Sequence, residues 1–257
     1  MTDEVKPVKP VASAPRKRRL SHMLGGLVGW VVLLTASFFA AQLVVSYVIL
    51  GLIHIGVMTN YNSTIDQLMY RLIVYIVMVA MIAGVVWYRY RKLTMSDTGI
   101  TRLPEWSDIG LGAVGAVVYI LASVVALSLA SNIPGFNETQ SQDLGFSHLF
   151  GSDLVVGFIV LVILTPLFEE AIFRGFLYGR LRGLKFPWWI SAIVVSVLFG
   201  LAHMQWNVGI DVFCLSMVAC ILREMTGSIW SGVLLHVAKN FLAFMVTFVF
   251  IQGVSGS

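Results

Sequence analysis

A succession of long apolar runs constrains this chain more than any other feature, because most of them approach the ~20 residues that a helix needs to cross a bilayer. The runs lie near Leu24–Val57, Leu72–Tyr88, Ile109–Ala130, Leu154–Tyr178, Trp188–His203, Val208–Leu222 and Ile229–Ile251. They predict an all-α, polytopic transmembrane helix bundle of about seven spans, within a range of six to eight. Composition excludes the alternative of a soluble globule. Hydrophobic residues make up 58% and charged residues 12% of the chain, whereas soluble domains carry about 25% charged residues.

The net charge of +4 would suggest a nucleic-acid partner in a soluble protein, but here the basic residues cluster between apolar runs, as membrane topology requires. No nucleic-acid site is read from them. Lys6, Lys9, Arg16, Lys17, Arg18 and Arg19 precede the first run; Arg89, Arg91, Lys92 and Arg102 follow the second; Arg180, Arg182 and Lys185 follow the fourth. The segment between Ser131 and Asp153 has no Lys or Arg and holds Glu138 and Asp143. Positive charge on alternate connections places the N-terminus in the cytoplasm. Residues 1–22 read as a disordered basic tail that can touch anionic lipid, and residues 23–257 as the membrane-embedded domain. Cys214 and Cys220 stand at a spacing that does not put them on one helix face, so they indicate neither a disulfide nor a thiol metal site. Chain size and the short basic tail suggest a bacterial plasma membrane.

Three clusters carry the polar chemistry. In the fourth run, Glu169 and Glu170 interrupt apolar sequence, at a depth where each ionised group costs ~2.5–3.5 kcal/mol on insertion scales. Glu170 and Arg174 stand four apart and can pair across one helical turn, while Glu169 points about 100° away and is free to act as a base. A position at the membrane surface is the bland alternative for this pair. Phe199 and His203 share a helix face one turn apart, a pattern that taken alone more often marks an interfacial or hydrogen-bonded histidine than a catalyst. His236 and Asn240 also project from one face, either as hydrogen-bond donors to neighbouring helices or as donors to a developing oxyanion. Taken together, a carboxylate, two imidazoles and a carboxamide on three separate runs supply the parts needed to hydrolyse an amide.

In order, Glu-Glu-Ala-Ile-Phe-Arg-Gly from Glu169, Phe-Gly-Leu-Ala-His ending at His203, and His-Val-Ala-Lys-Asn from His236 resemble the CAAX-protease and bacteriocin-processing (Abi) family of intramembrane endopeptidases. The family pattern is Glu-Glu-x-x-x-Arg, Phe-x-x-x-His and His-x-x-x-Asn. The resemblance covers a catalytic core of about residues 150–252, and the first three runs share with the family only their hydrophobicity.

The resemblance implies that Glu169 activates water with His203, that His236 and Asn240 stabilise the tetrahedral oxyanion, and that Glu170 and Arg174 position the first motif. It implies a membrane-associated peptide or lipid-modified protein as substrate, of CAAX type, or a bacteriocin leader or pheromone precursor. Zinc held by Glu169, His203 and His236 with water as fourth ligand is one reading of such a set, and a metal-free glutamate mechanism is the other. The chain has no His-Glu-x-x-His helix, which tilts the balance toward the metal-free reading. The competing class is a non-catalytic immunity protein or a transporter that uses the buried charges for ion coupling. No inverted repeat supports a transporter.

Overall fold

The computed structural model describes residues 16–58, 61, 63–92, 94–137 and 148–250. Among these residues there are no strands, as expected where backbone polar groups must be satisfied without water. Seven helices follow in order: α1 (Arg16–His54), α2 (Thr64–Tyr90), α3 (Trp106–Ala130), α4 (Ser152–Gly183), α5 (Trp188–Leu201), α6 (Trp206–Thr226) and α7 (Trp230–Phe250). The all-α polytopic bundle expected from the apolar runs is what the chain forms. Its first helix already begins at Arg16, inside the segment expected to be a tail, while residues 1–15, Glu138 and Asp143 lie outside the described residues.

Five of these helices, α1 from Leu20, α2, α3, α4 and α7, are long and apolar enough to cross a membrane. The other two are not among them, so five candidate spans stand where seven were expected. Helix α5 has 14 residues, so it is only about 21 Å long; it stops before His203, and Met204 takes a left-handed conformation with φ 56°. Helix α6 has 21 residues but carries Asp211, Arg223 and Glu224. The two form a tight hairpin in which a Cβ on Gly200 would lie 2.8 Å from the Gly209 carbonyl oxygen. Small residues of this kind let membrane helices approach closely.

Helix α4 sets the geometry of the site. Its hydrogen bonding shifts to π register over Phe158–Leu164 and again over Ala171–Leu177, leaving Thr165–Glu170 as one α-helical stretch between them. Such π stretches concentrate at functional sites. Helix α4 packs against α7 and α2, and α7 in turn packs against α3 and α6. The connection from α2 to α3 includes a short 3-10 turn, Met95–Thr98, whose backbone rests on α4. A Cβ at Gly175 would run into the Thr98 carbonyl, and one at Gly99 would lie 2.5 Å from the Ile229 side chain. Arg180 pins the same turn through Asp97 at 2.7 Å.

The start of α3 is anchored by a second buried carboxylate. Asp108, fully buried, accepts from Arg102 Nη1 at 2.6 Å and Nη2 at 2.9 Å, from the Glu105 N–H at 2.8 Å and from the Ser231 hydroxyl of α7 at 2.7 Å. Elsewhere the helices turn large apolar side chains outward, among them Val32, Phe39 and Leu43 of α1 and Val117, Leu121 and Val125 of α3. On a chain with these spans, that surface faces lipid.

Candidate active site

Glu169 and Glu170 occupy the last turn of the α-helical stretch between the two π segments, and both are buried. The 100° between consecutive helical positions sends them to different partners. Glu170 Oε1 lies 2.9 Å from Arg174 Nη1 and 3.0 Å from His236 Nδ1. The guanidinium is fully buried and stacks 4.4 Å from the Phe199 ring centre. The pairing of Glu170 with Arg174 expected from their spacing is present. Yet Glu170 Oε2 and the Arg174 nitrogens have no aligned hydrogen-bond partner among the described residues. A Cβ on Gly232 of α7 would approach that Oε2 to 3.0 Å, so a bare glycine lets α7 come close to the carboxylate.

Glu169 faces α2 and α7. Its Oε1 accepts a hydrogen bond from the Tyr75 hydroxyl at 2.5 Å, and its Oε2 lies 3.6 Å from His236 Nε2. His236 thus stands between the two carboxylates.

His203 and Asn240 are placed differently from these. His203 sits in the turn after α5, half-buried, with Nδ1 2.9 Å from the Phe199 carbonyl oxygen. Its ring packs edge-on against Phe199 at 5.0 Å, and the same phenyl ring meets His236 at 6.0 Å and Phe173 at 4.9 Å. Phe199, which the sequence paired with His203 on one helix face, is the ring on which both imidazoles and Arg174 converge.

Asn240 donates from Nδ2 to the Leu161 carbonyl at 2.9 Å, and the reason lies in α4. In the π segment the Thr165 N–H goes back to Val160. The same register would assign Leu161 to the nitrogen of residue 166, which is proline and has no hydrogen. The carboxamide satisfies the carbonyl that Pro166 leaves open.

The zinc set of Glu169, His203 and His236 does not converge. Among the described residues no three His, Cys, Asp or Glu side chains stand close enough to hold a metal ion. The donors present therefore do not fit that metal.

The fold and the site together define an integral membrane protein whose long spans enclose a carboxylate–imidazole centre. Residues 151–242 match the family model described as "Rce1-like: Type II CAAX prenyl endopeptidase Rce1-like", so the resemblance carried by the three motifs is borne out over that segment. The chain is also 26% identical over 239 residues to an uncharacterized 24.3 kDa protein of Escherichia coli, covering 90% of this chain and 97% of that relative. No solved structure matches.

Proposed function

We propose that the protein is an intramembrane endopeptidase, in which Glu169 is the general base that activates water against a peptide bond of a membrane-associated substrate. One observation carries this reading: Glu169 Oε2 and His236 Nε2, from different helices, face each other at 3.6 Å. A carboxylate and an imidazole that close can address the same water molecule. Attack on the substrate carbonyl transfers the water proton to Glu169, which returns it to the leaving amine. His236, oriented by Glu170 through Nδ1, follows the logic of a base held by a third group. Asn240 uses one amide hydrogen on Leu161, and its second is available to a tetrahedral oxyanion. His203 remains at the rim, where its half-burial suits contact with the substrate.

The substrate class that the family match supports is a peptide with a prenylated C-terminal CAAX sequence. The N-terminus lies in the cytoplasm in this reading, supported by Arg180 stacking on Trp30 of α1 and Tyr90 of α2 at 5.2 and 5.4 Å. These contacts gather the basic ends of α2 and α4 on one side. The test is cleavage of a fluorogenic farnesylated CAAX peptide by the full chain in nanodiscs, compared with Glu169→Gln. Loss of about a thousand-fold or more is expected. A Glu169→Gln protein that folds and cleaves like the wild type would sink the assignment and return the buried charges to the non-catalytic reading.

A further inference from the structure

We propose that Tyr75 of α2 is the positioning residue for Glu169, fixing which carboxylate oxygen is left for the nucleophilic water. The inference rests on the reading of Glu169 as the base. It concerns a residue outside the segment matched at 151–242, and none of the three motifs contains it.

The Tyr75 hydroxyl donates to Glu169 Oε1 at 2.5 Å, within the range of a charge-assisted O–H to carboxylate bond. Its ring stacks nearly parallel on Phe168, 5.8 Å between centres and 8° between planes. Phe168 immediately precedes Glu169, so the stack and the hydrogen bond hold the same turn of α4 from one side. A glutamate side chain ends in a broad, roughly two-fold torsion. With Oε1 tied to α2, that torsion is fixed and Oε2 is the oxygen presented to His236 Nε2.

The hydroxyl is not needed to dock α2 on α4. Leu68, one face of the same helix, is fully buried in an apolar cluster with Val160 and Val162 of α4 and Phe244 and Phe248 of α7. Removing one oxygen at Tyr75 leaves that cluster and the stack on Phe168 in place. What it removes is a directed donor in a setting where apolar side chains offer no substitute. A hydrogen bond to a charged group is worth enough to change a rate by about ten- to a hundred-fold.

The experiment uses the full chain in nanodiscs with Tyr75→Phe and Tyr75→Leu. Infrared difference spectra of wild type against Glu169→Gln locate the Glu169 carboxyl bands; the same difference taken in the Tyr75→Phe background is expected to show them displaced. With the farnesylated CAAX peptide as probe, Tyr75→Phe is expected to lower kcat about ten- to a hundred-fold with KM changed less than about twofold. Tyr75→Leu should match it in kcat while melting at a lower temperature. Unmoved carboxyl bands would overturn the inference, and so would full kcat in Tyr75→Phe with loss only in Tyr75→Leu. A wild-type protein that cleaves no peptide would count against the proposed function alone, since the infrared comparison still decides Tyr75.

Discussion

Two arginine–carboxylate pairs of this protein each bury the carboxylate and reach α7, yet they are satisfied to very different degrees. At the start of α3, Asp108 accepts four hydrogen bonds, two of them from the Arg102 fork and one from Ser231. In the middle of α4, Glu170 directs a single oxygen to both Arg174 and His236, while its other oxygen and the guanidinium nitrogens lack aligned partners among the described residues. Buried polar groups are normally paired, and each exception asks for an explanation. The satisfied pair fastens a helix end, whereas the unsatisfied one sits beside the proposed base and orients its imidazole.

Four variants break or sharpen this contrast. The largest effect is expected from Arg174→Met, which strands Glu170 in the bundle interior: about 3–5 kcal/mol of stability should be lost in reversible SDS unfolding, and Glu170→Gln added to it should restore most of that loss. Asp108→Asn is expected to cost about 2 kcal/mol by the same assay, because it weakens the hydrogen bonds from the partly exposed Arg102; kcat of the folded fraction should remain wild-type. A kcat that collapsed with Asp108→Asn would erase the distinction between the two pairs. Replacing Asn240 with Leu should cost about 2 kcal/mol by exposing the unpaired Leu161 carbonyl to an apolar interior, and thermal melting followed by tryptophan fluorescence would read it. Ser231→Ala removes one of four bonds to Asp108, so a melting shift equivalent to about 1 kcal/mol is expected.

The sequence disclosed this arrangement unevenly, for physical reasons. Helical spacing alone separates Glu169 from Glu170 and predicts the Arg174 pairing, since both follow from 100° per residue. It also brings His236 and Asn240 to one face of α7. It could not assign Asn240 to Leu161, because that bond depends on a π register in another helix; Pro166 inside an apolar run was the available signal. Tyr75 was not legible at all, being a tyrosine in an apolar span whose partner lies 94 positions away. The seven apolar runs located the seven helices, but did not show that α5 has only 14 residues and that five of the seven are long and apolar enough to cross a membrane.

The contact between Thr98 and Gly175 bears on how freely the protein can change. The first three helices lie outside the matched segment, and the turn that joins two of them touches α4 at the residue directly after Arg174. A single methyl group at position 175 would meet backbone, which cannot rotate away as a side chain can. The α2–α3 connection therefore acts as a gauge of fixed length: it tolerates exchange of its outward side chains, but an added residue there, or an alanine opposite it, would push one half of the molecule off the other.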